Sequence, residues 1–526
     1  MNHPTEALRG LKQQMKKEWK AAFGSAFLIG LFVHMPILLS DIPNHDGLAS
    51  MYFDQNMITS GRWFLTVACG FSSYYTIPWV IGLLGLLFLS CTAVCLTELL
   101  ELKDTIPIVL ISGLLVTFPA LTSTFAYVFT LDGYMLAMFL AVLSVLLTKK
   151  YRWGFLAGAV CLAFSMGTYQ AYLPFAVLLC IYLIVIRFMQ DGRIQDKLKE
   201  VLKYLLMGGL GMALYFILLY LLLNIQNKEL ASYQGINNLE GGTVTGLSGG
   251  DGMLHRLMEM YRDFFAFTLK GGVIANNLFS KSAYALLLLL FLCALGKACI
   301  QKKWWEKILF WIVVPLLVLG LPLATNMIQL ISPDLNYHLL MRYQWVLYPI
   351  LMIAFLEYCG RGDKTNGRIR AEWGTLLAVG VLIFNYAVTD NIAYSNLQKR
   401  YEKTYAYCLR LLDRMEQTPG YYRGIPIAMI GVVGDEEYPL TDITDPVTAG
   451  MIGIHGDSLL YTGANYESFM KNYLGATLNF LEPEAMGEIY YSEEYRAMES
   501  FPGATATKVV DGVLYVKTEN VDHSID

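Results

Sequence analysis

Long apolar runs recur along this chain, and they constrain its fold more than any other feature. A helix needs roughly 20 mostly apolar residues to cross a hydrocarbon core. Eleven segments approach that length: about 21–40, 77–97, 106–122, 132–148, 153–168, 172–189, 203–224, 282–299, 306–324, 341–358 and 373–389. The composition agrees, at 55% hydrophobic and only 16% charged residues, against about 25% charged in soluble domains. The expected fold is therefore mainly α, a polytopic membrane protein of about eleven spans. A net charge of −4 with no basic face excludes a nucleic-acid binder. The nine cysteines show no CxxC or Cys/His spacing, so they read as small buried hydrophobes rather than zinc ligands or a disulfide framework.

The start, "LKQQMKKEWKAAFGSAFLIGLFVHMPILL", is basic and then apolar, without a small-residue cleavage site. It reads as a signal anchor. Placing that end in the cytoplasm puts "TELLELKDT", "KKYRW", "FMQDGRIQDKLKEVLK", "GKACIQKKWWEK" and "GRGDKTNGRIRAEW" inside. All but the first are clearly rich in Lys and Arg, as cytoplasmic loops should be. The remaining loops are longer, acidic or neutral, and rich in Tyr, Asn and Gly. They fall outside.

Residues 1–392 then form a membrane domain with two long outer loops, 41–76 and 225–281, and residues 393–526 a soluble domain on the outer face. In the first loop Leu48, Met51, Tyr52, Ile58 and Trp63 recur at helix-like spacing, predicting an interfacial amphipathic helix. In the second, glycine-rich "LEGGTVTGLSGGDG" reads as a mobile cover for a site. "MLHRLMEMYRDFFAFTLKGG" after it reads as a second amphipathic helix, with Leu254, Leu257, Met258, Tyr261, Phe264, Phe265 and Thr268 on its apolar face. In the tail, "SNLQKRYEKTYAYCLRLLDRMEQTPG" predicts a helix stopped by Pro-Gly. "IPIAMIGVVG" and "GVLYVKTEN" predict strands of a small α/β or α+β domain.

Ionisable groups beside spanning helices are costly and mark functional sites. The stretch "DIPNHDGLASMYFDQNMITSGRW" holds three acids. Asp46, before a glycine, is the leading general base for a sugar hydroxyl, with capping of a helix starting near Gly47 as the alternative role. Asp41 and Asp54 are the other choices, with His45 as a supporting donor. Arg62 in "SGRWF" and Arg342 in "YHLLMRYQW" have the charge and fork geometry for a lipid phosphate. His338 and Tyr337 stand beside Arg342 in sequence. An internal salt bridge or snorkelling is the alternative for both arginines. Asp132 in "FTLDGY", and Tyr169 and Gln170 in "SMGTYQAYLP", would line a hydroxyl-rich substrate cavity or bond helix to helix.

The basic start, a single span, an outer loop ending in "GRW", the "GTYQAYLP" segment between paired spans and the late arginine of "MRYQWVLYP" resemble the bacterial O-antigen glucosyltransferase type II family. That family lies within the GT-C superfamily, and the likeness covers about residues 20–400. The resemblance implies a multi-pass enzyme of the bacterial cytoplasmic membrane with its active site on the extracytoplasmic side. It would move a sugar, glucose by family, from a polyprenyl-phosphate carrier to a cell-envelope glycan with inversion. It implies a first-loop acid as base, fitting Asp46, and a basic residue at the donor phosphate, fitting Arg342 or Arg62. A monophosphate leaving group makes a metal unnecessary. "DIPNHD" lacks the Asp-x-Asp pair of metal-using relatives, and metal dependence stays open. The competing class is a transporter or flippase of a lipid-linked saccharide, which would gather polar groups near the bilayer midplane and show internal repeats. Here they cluster toward the outer side.

Overall fold

The computed structural model describes residue 3 and residues 15–70, 76–231, 250–301, 303–306, 308–331, 336–362, 365–431, 444–448, 450–455 and 463–518. The chain divides into two compact units. The first comprises residues 1–40 and 52–391, and the second residues 41–51 and 392–526.

The first unit is helical. In chain order, α1 (Lys17–Leu38) is followed by α2 (His45–Ala49), which belongs to the second unit, and then by α3 (Leu65–Ala68), α4 (Pro78–Leu99), α5 (Thr105–Thr117) and α6 (Pro119–Phe125). Then come α7 (Leu131–Lys150), α8 (Gly154–Thr168), α9 (Leu173–Met189), α10 (Ile194–Gln226) and α11 (Gly250–Lys270). The last are α12 (Leu278–Gln301), α13 (Ile308–Thr325), α14 (Leu347–Gly360) and α15 (Asn366–Glu416). Nine of the eleven predicted apolar segments overlap a single one of these helices, while 106–122 covers both α5 and α6 and 341–358 runs from a 3-10 stretch into α14. Among the described residues eight helices are long and apolar enough to cross a membrane, and α5 with α6, bent by 47°, makes a ninth. Two more apolar helices, Gly154–Thr168 and Trp311–Thr325, are shorter. The bend at Phe118 has a local cause. A residue before proline is pushed out of the helical region; Phe118 takes ψ 127° and Pro119 opens the next helix.

The ends of the spans sort by charge. Glu98, at the foot of α4, accepts Lys16 at 2.7 Å and Lys150 at 3.1 Å. Glu101 takes Lys149 at 2.9 Å and Arg361 at 3.5 Å, and Asp104 takes Arg368 at 3.1 Å. Loops read as cytoplasmic thus meet in one belt of ion pairs. Within the first unit, helices leaving that belt carry 52–70, 118–131, 169–172 and 336–346 to the opposite end.

Among the described residues, the interfacial helix expected in the first loop is absent. Residues after α2 leave the helical region at Tyr52 and Gln55, both with positive φ, and the Asp54 carboxylate accepts the Asn56 amide at 2.9 Å to close a turn. A 3-10 turn, Ile58–Ser60, and α3 complete the loop. Two cores share the apparent periodicity: Leu48 packs with Cys408, Tyr466 and Phe469 of the second unit, whereas Ile58 is buried in the first. The amphipathic helix of the second loop is present as α11. Most of the glycine-rich stretch before it lies outside the described residues.

In the second unit, β1 (Pro426–Ile430), α16 (Gly463–Leu474), β2 (Asn479–Phe480), β3 (Thr507–Val510) and β4 (Val513–Lys517) build a sheet of order β2-β1-β4-β3. β1 is parallel to β2 and β4, and β3 is antiparallel to β4. The predicted tail helix is the end of α15, which stops at Glu416 ahead of Pro419 and a positive-φ Gly420. Its Cys408, Leu411 and Met415 cover the sheet residues Ile427, Leu514 and Val516.

Candidate functional site

The three acids of the first loop sit in different settings. Asn44 caps α2, its side chain accepting the Gly47 amide at 2.7 Å. Asp46, in the first turn, is therefore not the cap. Its carboxylate is 52% exposed and stands 3.4 Å from His45 Nε2. The His45 ring is buried, and its carbonyl accepts the Asn465 amide at 3.4 Å. Ser468 Oγ donates to the Leu48 carbonyl at 2.8 Å, so the turn carrying Asp46 is fastened to α16. Asp41 is exposed in the same unit. Asp54 belongs to the first unit, where its carbonyl accepts Thr66 Oγ1 at 2.7 Å.

Arg62 lies in an aromatic cradle of the first unit. Gly61, at φ 77°, turns the chain in a conformation that L side chains rarely adopt. Arg62 Nη1 then donates to the Tyr134 hydroxyl at 3.1 Å, and the guanidinium lies 5.2 Å from the centre of the Tyr169 ring. Tyr134 and Tyr169 stack at 4.2 Å. Gln170 Nε2 donates to the Ser60 carbonyl at 3.0 Å and to Tyr215 at 3.1 Å, and Tyr215 in turn donates to the Gly61 carbonyl at 3.1 Å. The Phe64 amide donates to the Gly167 carbonyl at 2.7 Å, and a Cβ on Gly167 would sit 2.5 Å from the Trp63 ring. "GRW" and "GTYQAY" are thus two halves of one bonded assembly. Asp132, buried at the start of α7, accepts the Gly133 amide at 2.9 Å. Burial first, and the Asp132 charge second, push the neighbouring Cys69 thiol well up.

Arg342 is held differently. It lies in a 3-10 stretch, Leu339–Val346, entered through His338 in extended conformation. Both Nη atoms bond Asp263 of α11, each at 2.7 Å, and Nε donates to the Tyr337 carbonyl at 3.2 Å. Tyr337, Phe267 and Trp345 surround the guanidinium with ring centres at 3.9, 4.5 and 5.5 Å. Asn326 Nδ2 donates to the same Asp263 at 3.0 Å, and Gln344 Nε2 donates to the Tyr337 hydroxyl at 2.7 Å. Asp263 is the residue that sequence reasoning missed. It shares a helical stripe with Met260, Phe264 and Phe267, and an acid on such a stripe was the available signal. Tyr134 and Tyr215 were missed because a tyrosine inside an apolar run looks like core. Among the described residues no group of three or more His, Cys, Asp or Glu side chains is placed to hold a metal ion.

The architecture is a many-helix membrane unit with an ion-pair belt at one end and the aromatic settings of Arg62 and Arg342 away from it. No curated protein and no solved structure matches the chain. The family model described as glucosyl transferase GtrII matches residues 35–357, more than half of the 526 residues. The match begins at the end of α1, takes in the first loop, the Arg62 cradle and Arg342, and stops within α14. A multi-pass helical unit and this match make the protein a membrane glycosyltransferase, and the chain belongs to the glucosyl transferase GtrII family.

Proposed function

We propose that the protein transfers a sugar, glucose by family, from a polyprenyl-phosphate carrier to a glycan of the bacterial cell envelope on the extracytoplasmic side of the cytoplasmic membrane, with inversion. The acceptor hydroxyl gives its proton to the Asp46 carboxylate, its oxygen bonds to the anomeric carbon, and the bond from that carbon to the phosphate oxygen breaks. The electron pair leaves on the lipid phosphate, where a guanidinium stabilises the developing charge. Preorganised electrostatic stabilisation of this kind is often the largest catalytic contribution. Arg62 is assigned that role. The Arg342 fork is filled by Asp263, so Arg342 is assigned to holding α11, with Tyr337 and His338 beside it. Asp132, Tyr169 and Gln170 belong to the substrate wall. A monophosphate leaving group carries less charge than a diphosphate, and the proposed reaction uses no metal.

The observation that carries the reading is the Arg62 cradle inside the family-matched region. A guanidinium is held there by a phenol and a ring face, at the end of the unit remote from the ion-pair belt. The assignment of Asp46 draws on Asn44 taking the capping role. That leaves a half-exposed carboxylate with a histidine beside it.

The test is transfer from polyprenyl-phosphate glucose to candidate glycan acceptors by the purified chain. Asp46→Asn should lower the rate on the order of 10²- to 10⁴-fold, with Asp54→Asn and Asp41→Asn well above it. Undiminished transfer by Asp46→Asn removes Asp46 as base. Movement of the lipid-linked sugar across vesicles without transfer overturns the enzymatic reading.

A further inference from the structure

The ion-pair belt encloses a cavity of about 270 Å³. It lies at the far end of α7 from the Arg62 cradle: Tyr134 and Lys149 are separated by roughly 22 Å along that helix at 1.5 Å per residue. Four cations line it, Lys149, Arg187, Lys203 and Arg361, against two carboxylates, Glu101 and Glu200. The excess is two positive charges in a recess between helices.

Each cation is aimed by the fold. Lys149 Nζ donates to the Leu99 carbonyl at 2.7 Å as well as to Glu101. Arg361 donates to the Glu101 carbonyl at 2.6 Å and stacks over Tyr358 at 5.7 Å. Lys203 Nζ donates to the Tyr151 carbonyl at 3.3 Å. Arg187 Nε approaches Glu200 to 3.1 Å without hydrogen-bond geometry. Burial alone would raise the Glu101 carboxyl, yet Lys149 and Arg361 hold it below its ordinary value. Phenols of Tyr182, Tyr204 and Tyr358 add further donors, while Leu183 and Ile186 of α9 form an apolar wall.

We infer that this cavity binds the phosphate of an anionic membrane lipid, its headgroup among Lys149, Arg187, Lys203 and Arg361 and its first chain carbons against Leu183 and Ile186. Charge and placement support this occupant. Basic recesses between spanning helices attract anionic headgroups, and the apolar wall belongs to a membrane-spanning helix. The site plays no part in the transfer chemistry proposed above, so its failure and that of the catalytic reading are separable.

The experiment uses the full chain in detergent and follows thermal unfolding. Short-chain phosphatidylglycerol is compared with phosphatidylcholine and with inorganic phosphate. A ligand that binds the folded state raises its melting temperature by mass action. The expected result is a larger rise with phosphatidylglycerol than with either control. Arg187→Gln with Lys203→Gln should weaken that binding by about five-fold per cation removed. Lys303→Gln, at an exposed pair with Glu306 3.2 Å away, should leave it unchanged. If the double variant does not fold, native mass spectrometry of the wild type should find phosphatidylglycerol retained over phosphatidylcholine. Equal effects of the two lipids, an unchanged double variant, or a rise reproduced by phosphate alone would each overturn the lipid site.

Discussion

Arg62 and Arg342 look alike in sequence, each a single cation beside an apolar run, yet the structure holds them in opposite ways. Arg342 is 8% exposed and is clamped through both Nη atoms by Asp263 inside a ring of three aromatics. A carboxylate cancels its charge and fills its fork. Arg62 is half-buried, bonded to a phenol and laid on a tyrosine face. The Tyr134 hydroxyl and the Tyr169 ring face orient its guanidinium. On the function proposed above, the difference separates a cation whose fork is filled by one carboxylate from one oriented by an aromatic cradle toward the donor phosphate.

The strongest test of that contrast is to break the clamp. Arg342→Ala leaves Asp263 beside apolar rings without its partner, and losing one member of a largely buried pair costs about 3–5 kcal/mol. Denaturant unfolding in detergent should show a loss of that order for Arg342→Ala and a similar one for Asp263→Ala. Arg342→Met with Asp263→Leu should cost less than the two single changes together, because contacting groups are not additive. An Arg342→Ala protein as stable as wild type would mean that the clamp holds nothing.

That clamp also marks where the sequence stopped being legible. Each apolar run reported its helix because membrane-crossing length and hydropathy are local properties. Two of the tail strands were legible for the same reason, β1 and β4 lying within the expected stretches. Asp263 lies 79 residues before Arg342, and no local pattern links them. The first loop failed differently. Leu48 and Ile58 are both buried, as their spacing implied, but in cores of separate units, and periodicity records burial without saying which core receives it. Of the named site residues, Arg62, Tyr169 and Gln170 come together through Tyr134 and Tyr215. "NHDG" contained two residues able to cap a helix, and geometry gave the role to Asn44.

The other half of the contrast is functional. Arg62→Ala should lower transfer by on the order of 10²- to 10³-fold, the usual cost of deleting one group that stabilises developing charge. Its loss of stability should be smaller than that of Arg342→Ala. Arg62→Lys keeps the charge and loses the planar fork, so it should recover part of the rate. The measurement is kcat/KM for the polyprenyl-phosphate donor together with the unfolding midpoint. If Arg62→Ala unfolds as readily as Arg342→Ala while folded molecules retain full activity, the two arginines are alike and the assignment falls.

The smallest effect is the most discriminating, because it removes one oxygen from the cradle. Tyr134→Phe keeps the ring stacked on Tyr169 at 4.2 Å and deletes the hydroxyl that accepts Arg62 Nη1. A hydrogen bond to a charged group contributes about 1.5–3 kcal/mol, but a loosened guanidinium still reaches water or phosphate. The expected cost is therefore nearer the lower bound, roughly ten-fold in kcat/KM. Tyr215→Phe serves as its counterpart. That hydroxyl ties Gln170 to the Gly61 carbonyl, fixing the turn rather than the cation, so its loss should lower the unfolding midpoint more than the affinity for donor. Matching behaviour of the two variants would mean that Tyr134 supports the turn as Tyr215 does, and that the cradle does not aim Arg62.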